Sequence, residues 1–201
     1  MNIDPEKFTE LGISAIREMS EVAKRNGQQE VEVWHLLSAL MAQENGIVPA
    51  LLEEMGIGTA PIQLALQREL KNLPKIAGDV NTARSYASAP LTEAVEKGQQ
   101  ISQDMQDDYI STEHLLLGLA AVGKPATFKQ FLKNFELSEK KIKETLTNWG
   151  QLCSLANHHM GSTPPFTPVR RLISCQETEA DESTLSMFSK PKSGGGCCGS
   201  C

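Results

Sequence analysis

The strongest constraint on this chain is that it carries one pattern twice. Residues 32–40 read EVWHLLSAL, and residues 111–119 read STEHLLLGL. Aligning His35 with His114 sets an offset of 79 residues, and other positions fall into register with them. Ala15 meets Ala94, Ile16 meets Val95, Val22 meets Ile101, Val31 meets Ile110 and Leu40 meets Leu119. With the offset lengthened to 80, Leu52 meets Leu132, Met55 meets Phe135, Ile57 meets Leu137, Ile62 meets Ile142 and Leu66 meets Leu146. The matched positions are nearly all apolar and recur at helical spacing, while the positions between them have drifted. A packing unit that was duplicated and kept its core looks like this. The expectation is an all-α fold of about eight helices, arranged as two pseudo-symmetric units of four over about residues 4–70 and 89–149.

Local punctuation agrees with helices. Asp4-Pro5-Glu6 reads as an N-cap, a proline in the first turn and an acid beside the helix dipole. Behind it, Phe8, Ala15, Met19, Val22 and Ala23 are expected on one helical face. Thr59 ahead of Pro61, Ser88 ahead of Pro90, and Ser138 ahead of EKKIKETLTNW read as further caps. Ile142, Leu146 and Trp149 share a stripe in the last of these. Gly56-Ile57-Gly58 reads as a helix stop, and no alternating strand pattern stands out.

Beyond residue 150 the composition changes. Ser, Gly and Pro make up about a third of residues 151–201, and GSTPPFTPV cannot continue a helix. This region is expected to be a disordered tail, with Leu172, Ile173, Leu185, Met187 and Phe188 as a short apolar segment able to dock. The five cysteines all lie after residue 150, so residues 1–150 can hold neither a disulfide nor a thiolate metal site. A net charge of −6 argues against nucleic acid or an anionic membrane as partner. MNIDPEKFTE lacks the basic start and apolar run of a signal peptide, and a cytoplasmic protein is expected.

Three groups of side chains invite a chemical reading. His35 and His114 can be imagined as a metal or acid–base pair. Equivalent positions in two pseudo-symmetric units need not converge, however, so both read as structural residues at the start of a core helix. Asp107, Asp108 and Glu113 form an acidic cluster without nucleophile, base or oxyanion donor, and acids ahead of a helix are common for electrostatic reasons alone. Cys197, Cys198 and Cys201 offer three thiolates to a soft metal. A closed zinc site would need a fourth ligand from Cys175, His158, His159 or a second chain. No enzyme activity and no cofactor are expected, with a soft metal on the cysteine cluster as the exception.

The segments DPEKFTE, GQQEVEVWHLLSAL, GIVPALLEEMGI, LKNLPKIAG, YASAPL and DDYISTEHLLLGL, in this order and spacing, resemble the N-terminal domain of Clp/Hsp100 chaperones, a double Clp repeat. The similarity is strongest to the ClpB disaggregase branch and covers about residues 3–150. It implies a non-catalytic all-helical domain that contacts unfolded or aggregated polypeptides, adaptors or a Clp/Hsp100 ATPase, most simply as a monomer. The resemblance also implies a polypeptide-binding groove at the first and second helices of the second repeat. At those positions this chain carries Val95, Lys97 and His114, with acidic positions at Asp107 and Glu113 and a further one corresponding to Pro5. Such chaperones continue into ATPase modules, yet no GxxxxGK[ST] loop occurs here, so nothing in this chain is expected to cradle ATP phosphates. The resemblance leaves room for a stand-alone Clp-repeat protein or a truncated chaperone gene product. A protein that handles thiols or metal through CCGSC is the alternative from another class.

Overall fold

A computed structural model describes residues 4–43, 46–76 and 85–159. Eight α-helices lie among them, in two sets of four. The first set is α1 (Glu10–Arg25), α2 (Val33–Ala42), α3 (Ile47–Glu54) and α4 (Thr59–Asn72). The second is α5 (Ala89–Asp104), α6 (Thr112–Val122), α7 (Ala126–Asn134) and α8 (Glu139–His159). The limits of α5 are those of α1 displaced by the 79-residue offset, and α8 begins 80 residues after α4. The duplication is therefore structural as well as sequential. The helix α8 continues through residue 150, where the composition changes.

The two units are tied together by swapped backbone pairing that the sequence did not announce. A two-residue strand β1 (Glu30–Val31) pairs in parallel with β2 (Tyr86–Ala87). An isolated parallel bridge joins Phe8 to Ile110. At the repeat offset Phe8 corresponds to Ala87, and Val31 to Ile110. Each unit thus sends the segment before its first helix to pair with the segment before the other unit's HLL helix. The bonds match one for one: Thr9 N–H donates to Ile110 O at 3.0 Å, and Ser88 N–H donates to Val31 O at 2.9 Å.

This exchange corrects the reading of the N-terminus. Asp4 does act as a cap, but of a 3-10 turn over Pro5–Lys7. Phe8 then leaves the turn in extended conformation, so it is not on the α1 face with Ala15 and Met19. The cap of α1 is Thr9, whose hydroxyl accepts from Gly12 N–H at 3.1 Å. Ser88 and Ser138 cap α5 and α8 as expected, accepting from Leu91 N–H and Lys141 N–H at 3.3 Å each. Thr59 is the first residue of α4 rather than its cap, a position taken by Gly58.

The two HLL helices form the centre. They pack on each other, and each also packs on the other unit's first helix, α2 on α5 and α6 on α1. Ile16, Leu36, Leu37, Leu40, Leu115 and Leu116 are fully buried there. Trp34 of α2 reaches across to the second unit and meets Phe128 and Phe131 of α7 edge-on, with ring centroids 4.8 and 5.2 Å away. Edge-to-face pairs of this kind add to the burial of the ring itself.

The units differ where their first two helices cross. In the second unit, Gly98 of α5 lies against Gly118 of α6. A Cβ on Gly118 would stand 2.2 Å from the Ala94 carbonyl oxygen and 2.8 Å from Gly98 N. The first unit has Met19 and Ala39 at these places, both fully buried. A methyl on Gly118 meets backbone that cannot step aside, so Gly118→Ala should cost roughly 3 kcal/mol, at the upper end of overpacking effects. Urea unfolding checks this, and a loss under about 1 kcal/mol would mean that the crossing is not rigid.

Backbone conformation separates the units a second time. Gly27 and Gly56 follow α1 and α3 in the left-handed region, at φ +75° and +72°. Their counterparts Gln106 (φ 61°) and Glu136 (φ 55°) adopt it without being glycine. The left-handed region costs a non-glycine residue about 1–2 kcal/mol. Gln106→Gly is expected to raise the unfolding free energy by roughly 0.5–1 kcal/mol after the larger unfolded-state entropy of glycine is deducted. The reverse change, Gly27→Gln, should lower it by a similar amount in the same assay.

Candidate functional site

The two repeated histidines make the same local structure. His35 is the third residue of α2, and its Nδ1 accepts the backbone N–H of Glu32, the N-cap, at 2.8 Å. A glutamate or glutamine at this position closes a capping box in the same way. Because an amide only donates, Nδ1 carries no proton, and the ring proton resides on Nε2. That nitrogen donates to Gln28 Oε1 at 2.7 Å, and Gln28 Nε2 donates to Leu70 O at 2.5 Å. Leu70 lies in the last turn of α4, where carbonyls lack partners within the helix. A buried chain of three bonds thus runs from the start of α2 to the end of α4.

In the second unit His114 Nδ1 accepts the backbone N–H of Ser111 at 3.1 Å, and Nε2 faces Asp107 Oδ2 at 3.1 Å. Asp107 occupies the position of Gln28 at the repeat offset. The scaffold is shared and the outcome differs: Gln28 is 1% exposed, whereas the Asp107 side chain is 43% exposed. The network of the first unit ends on a buried helix terminus, and that of the second opens to solvent.

Of the side chains implied by resemblance, Val95 and His114 are buried and Lys97 and Asp107 reach the surface. Val95 is 3% exposed and His114 1% exposed, so both belong to the core and neither offers surface to a bound chain. An apolar stripe and a buried cap explain them fully. Lys97 lies on α5 and lines a shallow cleft of about 520 Å³ with Glu93, Glu96, Gln100, Val122 and Lys124. Two ammonium groups and two carboxylates dominate this cleft, and Lys124 is paired with Glu93 at 3.0 Å. Glu113 is in the first turn of α6 and Asp107 precedes that helix, while Gly98, the neighbour of Lys97, packs against the backbone of His114. One carboxylate oxygen of Glu113 is buried and has no hydrogen-bond partner. Pro5 opens the 3-10 turn beside the Asp107 end. Cys197, Cys198, Cys201, Cys175 and the apolar tail residues lie outside the described residues, as do the side chains of His158 and His159. Among the described residues no group of three His, Cys, Asp or Glu is placed to hold a metal ion.

What sequence reasoning missed is an apolar surface at the Asp107 end. Leu11 (42%), Met105 (45%) and Tyr109 (45%) are three of the five large apolar side chains exposed among the described residues. Leu11 is in the first turn of α1, against which Ile110, the neighbour of Tyr109, is hydrogen-bonded, and Met105 is the C-cap of α5, at the other end of the same connection. Ile110 N–H donates to Lys7 O at 2.7 Å, and Ser102 Oγ donates to the carbonyls of Asp107 and Tyr109 at 3.4 Å each. Leu11 sits four residues before Ala15 and reads as more of the core stripe, which hid it. The exposure arises because the core ends there.

A helical module, built from two copies of one repeat that share a centre, is the class this architecture defines. A model of the Clp repeat N-terminal domain matches residues 7–135, and the chain belongs to that family. It is similar to the chloroplastic chaperone protein ClpB3 of Arabidopsis thaliana, 32% identical over 141 residues, which cover 70% of this chain and 14% of that protein. It is similar also to the chaperone protein ClpB of Clostridium tetani, 31% identical over 145 residues, covering 72% and 17%. The chain therefore spans about one sixth of the length of these relatives. The Hsp104 N-terminal domain from Candida albicans shares its fold, with a TM-score of 0.58 and 21% identity, over 69% of this chain and 88% of that one.

Burial pushes the His35 pKa from 6.5 down to about 4. A histidine depressed in the folded state remains neutral there while its unfolded counterpart takes up a proton. Its contribution is thus complete above pH 6.5 and is lost as pH falls from 6.5 towards 4, by roughly 3 kcal/mol in all. Burial, reinforced by Glu30, raises the Glu32 carboxyl above 4.5, which acts in the opposite sense near that pH. His35→Gln keeps a side chain able to cap and removes the imidazole. Between pH 7 and pH 5 the variant should lose about 2 kcal/mol less stability than the parent in urea titrations. Equal losses would show that His35 does not titrate as its burial requires.

Proposed function

We propose that this Clp repeat domain is a non-catalytic protein-binding module that takes unfolded polypeptide at the junction of α1 with the α5–α6 connection. The observation that carries the reading is the exposed set Leu11, Met105 and Tyr109, on the start of α1 and on the α5–α6 connection hydrogen-bonded to it. A well-buried core leaves few large apolar groups in water, and those it leaves together mark contact surfaces more often than scattered ones do. The exposed carboxylates of Glu10, Asp104 and Asp108, each next to one of these residues in the chain, supply acceptors for backbone N–H groups or cations of an extended chain. Relatives named as ClpB chaperones give the context in which such a module serves: presentation of polypeptide, directly or through an adaptor, to a Clp/Hsp100 ATPase. The Lys97 cleft is the lesser candidate, because its lining is charged and polar, with Lys124 paired to Glu93 and Lys97 donating to Gln100.

The test is fluorescence anisotropy of labelled, reduced and alkylated α-lactalbumin with the full chain. The double substitution Leu11→Ser/Tyr109→Ser should weaken binding at least fivefold, and the thermal midpoint should stay within about 2 °C, because these side chains are outside the core. Binding unchanged in this variant but lost in Lys97→Glu would move the site to the α5–α6 cleft. No binding by the parent chain would remove the unfolded-polypeptide reading.

A further inference from the structure

We infer that the junction of Leu11, Met105 and Tyr109 is covered by the chain's own C-terminal segment, residues 185–192, which competes there with incoming polypeptide. This rests on the proposed site and adds how that site is regulated. The segment reads LSMFSKPK: Leu185, Met187 and Phe188 are followed within four residues by Lys190 and Lys192. The junction has the complementary make-up. Its three apolar side chains are each more than 40% exposed, and each has an exposed acidic neighbour in the chain: Glu10 before Leu11, Asp104 before Met105 and Asp108 before Tyr109. Glu10, Asp104 and Asp108 form no ion pair among the described residues. Apolar residues with trailing lysines match that surface in both respects.

Reach is not limiting. About 26 residues separate His159, the end of α8, from Leu185. At ~3.3 Å per residue they can span ~85 Å, whereas a domain of ~150 residues is about 40 Å across. A tethered segment of this length acts at an effective concentration of about 1 mM. Even a dissociation constant of ~0.1 mM would then keep the junction about ten parts occupied to one part free, and would weaken binding of an outside chain about tenfold. A tail with so few apolar residues can therefore act as a brake without binding tightly.

The test compares the full chain with its triple variant Leu185→Ser/Met187→Ser/Phe188→Ser. In the ¹H–¹⁵N spectrum the amides of Leu11, Met105 and Tyr109 should shift between the two, and those of α3 and α4 should not. Affinity for labelled α-lactalbumin should rise about tenfold in the variant. If the junction amides coincide in the two proteins, the inference is wrong, whether or not α-lactalbumin binds. Amides that shift while α-lactalbumin binds neither protein would uphold tail docking and refute the client reading. Shifts that grow with protein concentration would assign the contact to the tail of a second copy and overturn the intramolecular brake.

Discussion

Much of the structure depends on the reciprocal backbone exchange at Phe8–Ile110 and Val31–Ala87. Taken alone, one unit would leave the segment before each of its first two helices without a partner for its N–H and C=O groups. Buried groups of that kind cost more than their bonds return. The two units supply each other's partners, so the pair, not the repeat, is the unit that folds. These few bonds contribute little net free energy, about 1 kcal/mol each. Their effect is to fix which helices meet. Once Thr9 is held on Ile110 and Ser88 on Val31, α1 must start beside α6 and α5 beside α2. The buried leucines of the two HLL helices and the Trp34–Phe128–Phe131 cluster then supply the driving force.

Within that frame the histidines show how one device was kept and then used differently. Each fixes the start of a central helix by accepting an N-cap amide, which only a deprotonated Nδ1 can do. The remaining proton must go somewhere. In the first unit it goes to Gln28, which passes the connection to the carbonyl of Leu70 and seals the network. In the second it goes to Asp107, whose carboxylate is half in water. Gln106, the residue before Asp107, holds a left-handed backbone that glycine holds in the first unit. Strain of this type collects where a loop is held in place for contact. The network and one of the two left-handed non-glycine residues therefore fall in the same turn.

The repeat, the helix count and the Ser88 and Ser138 caps were legible because each is a local pattern with a definite period or position. The N-terminus was not, since DPEKF satisfies the rules for a helix start and only the partner at Ile110 draws Phe8 into extended pairing. Gly98 and Gly118 look like weak points in helices until the two are placed face to face. Val95 and His114 illustrate a deeper limit. An apolar stripe says that a face is covered, but not whether this protein's own helices or a bound chain cover it. The packing of α6 on α1 and α5 decides, and it puts both residues inside. Leu11 fails in the opposite direction, being in step with the core stripe yet one turn beyond the core's edge.

Pseudo-symmetry provides an internal control for the surface that remains. The fold builds two equivalent junctions, since each unit's first helix starts beside the other unit's connection. At one junction stand Leu11, Met105 and Tyr109. At the other, the corresponding residues are Pro90, Asn26 and Glu30. The backbone exchange, the capping histidine and the helix packing are common to both, so none of these requires three large apolar side chains in water. If folding demanded them at one place, it would demand them at the other. The other junction has one exposed aromatic, Tyr86, opposite Glu30, so the excess lies at the junction where the histidine network also opens to solvent, and that asymmetry is what the proposed contact surface rests on.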